Sequence, residues 1–184
     1  MPDSAKTQFS ALVMPHLQVL FRVAYRLVRN TFDAQDLVQD TCVAACQCLP
    51  ELAATDSPLR WLLRVQHNRF IDGVRRKRSS PVLVGGDVEE AASLNGELLD
   101  PQLLLQQSQD EQLLKQAFLR LDEMQRTLLG LRIEGYDLPE IEAITGVDRK
   151  VLSKRLHRAR QSLARHLLEQ AQVTQSGRRI GSNP

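Results

Sequence analysis

Residues 149–165 read Arg-Lys-Val-Leu-Ser-Lys-Arg-Leu-His-Arg-Ala-Arg-Gln-Ser-Leu-Ala-Arg, with seven Lys/Arg and no acid in seventeen positions. At about 3.6 residues per turn, Leu152, Leu156, Ala159, Leu163 and Leu167 fall on one stripe, while Lys150, Ser153, Lys154, His157, Gln161 and Arg165 point the other way. One side can pack and the other offers charge and hydrogen-bond donors. Just upstream, Asp137-Leu138-Pro139-Glu140 carries the pattern of a capping box, followed by Ile141 and Ile144 and by Gly146, where a helix would stop. Asp148 is placed to cap the basic helix in turn. Helix, tight turn and basic helix predict a helix-turn-helix whose second helix enters a DNA major groove. A basic helix that merely solvates a surface is the plainer explanation, and the capped partner helix weighs against it.

The rest of the 184-residue chain extends that pattern of charge. Net charge is only +2, yet residues 60–78 hold seven Lys/Arg against the single acid Asp72, and residues 81–114 hold seven acids and no Lys/Arg. Fourteen of 24 basic residues therefore lie in two patches, which implies two contacts with a polyanion. Hydrophobic residues make up 42% of the chain but aromatic ones only 4%, so its cores should be aliphatic. There is no apolar run of about 18 residues and no basic-then-apolar N-terminus, so the expectation is a cytoplasmic protein without membrane insertion. Cys42, Cys46 and Cys48 are crowded on one predicted helix with no second ligand cluster. Reduced, partly buried thiols explain them, with a zinc or redox role as the competing reading and His16 as an outside ligand. No metal site, cofactor or catalytic residue is expected: His16, His67, His157 and His166 are scattered, and no phosphate-cradling loop or nucleophile–base order stands out.

Periodicity predicts an all-α fold of two small helical domains. The first, residues 8–79, comprises a helix over about 8–30 interrupted at Pro15, a second from Asp33 to Leu49, and a third opened by Ser57 and Pro58. Residues 80–100, with Pro81, Gly85, Gly86 and Gly96, read as a flexible acidic linker. Helical spacing resumes over 101–170, with a turn near Asp122, and residues 171–184 read as a disordered tail. On the third helix Arg60, Arg64, His67, Ile71, Arg75 and Arg78 share a side flanked by Trp61 and Asn68, a mixture that can hold phosphates and grip a base edge. Trp61 can equally be a core anchor. The second helix has the opposite sign: Asp33, Asp36 and Asp40 form an acidic stripe beside Leu37, suited to docking on a basic protein surface.

Three motifs in this order make the chain similar to the bacterial extracytoplasmic-function (ECF) sigma factors, over all but the linker and tail. Asp33-Ala34-Gln35-Asp36-Leu37-Val38-Gln39-Asp40 resembles region 2.2; Trp61-Leu62-Leu63-Arg64-Val65-Gln66-His67-Asn68 with Asp72-Gly73-Val74-Arg75-Arg76 resembles regions 2.3 and 2.4; Arg155-Leu156-His157-Arg158-Ala159-Arg160 resembles region 4.2. The resemblance implies a factor that binds core RNA polymerase, through the β′ clamp helices and the β flap, and opens specific promoters. It implies polymerase docking by Asp33, Asp36, Leu37, Gln39 and Asp40. It implies minus-ten contacts from Arg60, Trp61, Arg64, His67, Asn68, Arg75 and Arg76, with Asn68 at a flipped base and Gln66, His67 and Arg69 shaping base preference. Upstream, Lys150, Ser153, Lys154, His157 and Arg158 are expected to read the minus-thirty-five element, with Arg149, Arg155 and Arg160 mainly on phosphates. An anti-sigma factor is a further partner implied by the family. Gln35, Pro139 and Arg149-Lys150 depart from the family's usual residues, the last affecting the promoter read. The competing class is a two-domain helix-turn-helix regulator that binds duplex DNA without polymerase.

Overall fold

Local capping rules set most helix boundaries. The computed structural model of the chain describes residues 2–79 and 101–180, with side-chain surroundings from 5 to 78 and from 110 to 170; the expected linker at 80–100 lies outside them. Helix α1, Pro2–Val13, is separated by a 3-10 turn at Met14–His16 from α2, Leu17–Val28, so Pro15 does break the first segment. Helix α3 spans Thr31–Gln47, α4 Leu49–Ala54 and α5 Pro58–Ser79. In the second half come α6, Pro101–Leu119; α7, Glu123–Ile133; α8, Leu138–Thr145; and α9, Arg149–Ile180. The described residues are helical throughout apart from turns and loops, as expected.

Several boundaries differ from expectation. The cap of α3 is Asn30, not Asp33: Asn30 is extended, its Oδ1 accepts the Asp33 backbone N–H at 3.0 Å, and Arg29 before it turns the chain in the left-handed region at φ 54°. Pro50 does not end a helix but sits in the first turn of α4, where its missing N–H costs nothing. Helix α9 also runs ten residues beyond 170, to Ile180.

Leu20, Val23, Ala24 and Leu27 of α2 are buried at one-face spacing, and α3 packs Ala34, Leu37 and Ala45 beside them, the alanines admitting close helix approach. Leu62, Leu63 and Phe70 of α5 complete this layer. The buried cluster does not stop there. It continues through Leu128, Leu131, Ile141, Ile144, Leu152 and Leu156 of the second half, because α7 packs on α2 and α8 on α5. A smaller cluster, Phe118, Leu121, Leu129 and Ala159, belongs to the second half alone. The two halves are thus joined by a seam.

One stretch, Ala5–Val28, is long and apolar enough by composition to cross a membrane, although the sequence suggests none. The break at Met14–His16 and the burial of Val13, Leu20, Val23, Ala24 and Leu27 in the shared cluster make it a core segment. Cys46 is exposed and Cys42 and Cys48 are half-buried; burial pushes the Cys42 thiol above its usual range, away from thiolate reactivity.

Candidate nucleic-acid interface

The helix-turn-helix is built by its caps. Asp137 Oδ1 accepts from the Glu140 N–H at 2.9 Å while Glu140 Oε2 accepts from the Asp137 N–H at 2.7 Å, the reciprocal box expected of this sequence. Gly146 takes φ 70° at the turn, a conformation that side chains disfavour. At the start of α9, Asp148 Oδ1 accepts from the Lys150 N–H at 2.7 Å, and Glu142 Oε1, reaching back from α8, accepts from the Arg149 N–H at 2.9 Å. Glu142 was not singled out by periodicity; its signal was an acid one turn before a helix stop. Two carboxylates therefore cap the positive end of α9 and tie it to α8.

Leu152, Leu156 and Ala159 are buried, so the opposite face is set outward. Arg149, Lys150, Ser153, Lys154, Arg155, His157, Arg158 and Arg160 are all exposed. Every residue expected at the upstream element is available to solvent, on one continuous basic surface.

Helix α5 divides its expected residues. Arg60, Arg64, Asn68, Arg75 and Arg76 are exposed, and Trp61 is half-buried against the shared cluster. His67 is not on that open face. It is 5% exposed and its Nδ1 lies 3.3 Å from Thr127 Oγ1 of α7, and burial alone pulls its pKa from 6.5 to about 4. Gln66 is fully buried and donates from Nε2 to the Leu20 carbonyl at 2.9 Å, holding α5 on α2. Gln66 thus fixes a helix angle and has no surface with which to touch a base, which corrects the expectation for it.

On α3, Asp33, Asp36, Gln39 and Asp40 are exposed and Leu37 is buried beneath them. Phe32, 59% exposed at the start of the same helix, joins this face and was not expected there; an exposed aromatic beside an acidic stripe is the signal that could have found it. A groove runs between α3 and α5 past Asp36, Asp40, Gly73 and Arg76, and Leu119 and Arg126 of the second half line it as well. Lys77 reaches Asp33 at 4.0 Å, both groups well solvated, a weak pair.

Among the described residues no group of three or more His, Cys, Asp or Glu is arranged to hold a metal ion. The arrangement is one of surfaces: a basic face on α9, a mixed basic and amide face on α5, and an acidic face on α3.

Residues 12–80 match the family model for sigma-70 region 2. The chain is 30% identical over 173 residues to the ECF RNA polymerase sigma factor SigE of Mycolicibacterium smegmatis, covering 94% of this chain and 66% of the relative. It is 30% identical over 162 residues to the RNA polymerase sigma factor CnrH of Cupriavidus metallidurans, covering 85% of this chain and 84% of the relative. Among solved structures, the sigma factor RpoE in complex with the anti-sigma factor NepR, from Bartonella quintana, aligns with a TM-score of 0.66 at 24% identity, over 86% of this chain and 96% of that one. CnrH in complex with the cytosolic domain of CnrY aligns at 0.56 and 24%, over 86% of each chain.

Proposed function

Because this chain belongs to the ECF group of the sigma-70 family, and so directs RNA polymerase to specific promoters to start transcription, we propose that its two halves divide that work. Residues 8–79 dock on the core enzyme and capture the opened minus-ten element; residues 101–170 read the minus-thirty-five element and meet the β flap. The acidic face of α3, with Asp33, Asp36, Gln39 and Asp40 around Leu37, meets the β′ clamp helices, and Phe32 extends it. Arg60, Arg64, Arg75 and Arg76 hold phosphates while Asn68, exposed among them, receives an unstacked base. Lys150, Ser153, Lys154, His157 and Arg158 face base edges in the major groove, with Arg149, Arg155 and Arg160 on the flanking phosphates. The protein acts by binding, without a catalytic group of its own, in the cytoplasm where the polymerase is. RpoE is held by the anti-sigma factor NepR, and a partner of that kind is proposed here too.

The observation that carries this reading is the simultaneous exposure of an acidic face on α3 and all eight upstream-reading residues on α9, in one chain and in motif order. In vitro transcription tests it: core polymerase with a promoter library should yield specific transcripts only when the chain is added. Absence of transcripts on every template, with tight duplex binding by the chain alone, would favour a polymerase-independent regulator instead.

A further inference from the structure

The opening N–H groups of α9 all find acceptors within the chain. Glu142 Oε1, on α8, takes the Arg149 N–H at 2.9 Å, Asp148 Oδ1 takes the Lys150 N–H at 2.7 Å, and the Asp148 carbonyl takes the Val151 N–H at 2.9 Å. Such donors are left over at any helix start, and in DNA-binding helices they commonly hold a phosphate. Here they are already engaged, so α9 has to be positioned on DNA by its side chains.

Of these acceptors only Glu142 comes from another helix, and it holds both sides of the turn. Its backbone carbonyl receives the Gly146 N–H at 2.8 Å, which closes α8, and its carboxylate receives the first N–H of α9. Little else fixes the turn. Thr145 Oγ1 accepts from the Val147 N–H at 3.3 Å, before α9 begins, and Val147 packs on the apolar cluster, but Gly146 and Asp148 are exposed and a Cβ on Gly146 would meet open space. Further along, buried Leu152 and Leu156 anchor α9 by themselves. The direction of the first turn, which carries Arg149 and Lys150, therefore depends on the Glu142 hydrogen bond. The two carboxylates act on backbone: among the described residues neither forms an ion pair with the Arg149 or Lys150 side chain, and both cations stay exposed. By charge alone, an acid at the end of a helix that enters a DNA groove weakens attraction to phosphate. Attraction does not explain Glu142; orientation does.

We propose that Glu142 is a positioning residue for promoter selectivity: it holds the first turn of α9 so that Lys150 meets the base pairs at the near edge of the minus-thirty-five element, and it lowers non-specific affinity in doing so. This rests on the functional reading above, in which the N-terminal part of α9 lies at the base edges. Lys154 and Arg158, beyond Leu152, do not depend on it.

Holoenzyme made with the full chain, bound to templates that each change one base pair of the upstream element, tests this. Lys150→Ala marks the base pairs read from the first turn. Glu142→Ala should cut discrimination at those pairs by about fivefold, the effect of losing one helix cap, and leave the pairs marked by Lys154→Ala as they are. It should also tighten binding to a scrambled element, since an acid is removed. Glu142→Gln keeps an acceptor oxygen without the charge, so it should restore discrimination while binding the scrambled element as tightly as Glu142→Ala does. Lys150→Ala added to Glu142→Ala should reduce discrimination at the marked pairs no further than Lys150→Ala alone. Discrimination that is unchanged in Glu142→Ala, lost evenly along the element, or not restored by glutamine overturns the proposal; even loss is what a merely structural role would give. An unaltered holoenzyme with no preference at any base pair of the element overturns the functional reading instead.

Discussion

His67 Nδ1 lies 3.3 Å from Thr127 Oγ1, and the Thr127 hydroxyl already donates to the Glu123 carbonyl at 2.9 Å. The threonine oxygen therefore accepts from the imidazole, which places the proton of a neutral His67 on Nδ1. Glu123, Asp72 and Arg78 share the cleft, yet burial dominates and holds the pKa near 4. An unfolded His67 takes up a proton near its ordinary 6.5, whereas the folded one resists until about 4, so this stabilisation is complete above pH 6.5 and is lost as pH falls toward 4. The expected loss is on the order of 2 kcal/mol by pH 5. Urea unfolding at pH 7 and pH 5 should show it, and His67→Gln should flatten the difference; equal pH slopes for both proteins would show that His67 is not the group responsible.

Glu134 predicts a second stability effect. Burial pushes its carboxyl up, but hydrogen bonds from Arg26 and Arg22 outweigh this and hold it below the usual range. Glu134→Gln leaves two guanidiniums without their anion; since both are partly solvated, the cost should be about 1–2 kcal/mol, less than for a fully buried pair. The double variant Glu134→Gln, Arg26→Gln should cost less than the sum of the single changes. Strict additivity in the unfolding free energies would mean that the two side chains do not act as a pair.

Much of this architecture was readable residue by residue. Ser57 caps α5, Asp122 and Asp137 form the capping boxes of α7 and α8, and Gly146 ends α8 in the left-handed region, each because a helix end must satisfy its own backbone groups locally. Asn30 was harder, since Asp33 offers the same chemistry three residues on and only the backbone angles decide between them. The exposed face of α9 followed from its apolar stripe. The fate of Gln66 and His67 did not: Gln66 turns inward onto α2 of its own half, a buried amide that an apolar pattern does not mark, and His67 is covered by α7, about which a pattern on one helix says nothing. Gly130 of α7 lies against α2 but was no clue, since a Cβ there would stand 3.6 Å from the Arg26 Cβ, an ordinary contact that alanine would also make.

On α3, Asp36 and Asp40 stand one turn apart and are both exposed, while the buried contacts of the helix run through Ala34, Leu37 and Thr41. Asp36→Arg with Asp40→Arg should therefore abolish binding to core polymerase and change folding stability by no more than about 0.5 kcal/mol. Gel filtration of the variant with core enzyme checks this; normal holoenzyme assembly would move the docking face elsewhere.

Asn68 is exposed on α5 between Arg64 and Arg75, and its amide is the one side chain there able both to donate to and accept from a base edge. Asn68→Ala should slow strand opening by about tenfold or more while leaving duplex-stage binding to the polymerase complex intact. Permanganate reactivity of unpaired thymines reports the opening, and an unaltered footprint would remove Asn68 from that step.

Lys154 and Arg158 lie one turn apart on the outward face of α9, opposite Leu152, Leu156 and Ala159, whereas Arg155 and Arg160 flank that line. The two pairs should fail differently. Loss of Lys154 and Arg158 to alanine removes base-edge donors, which are worth about 1–3 kcal/mol each, so discrimination between a native and a scrambled minus-thirty-five element should collapse. Loss of Arg155 and Arg160 removes phosphate contacts, so both templates should weaken equally and the salt dependence should fall by roughly two charges. Holoenzyme binding to each template across a salt series separates the two outcomes. If Lys154→Ala with Arg158→Ala weakens both templates alike, the base-reading line on α9 is wrong, and the specificity must come from Lys150, Ser153 and His157 nearer its capped end.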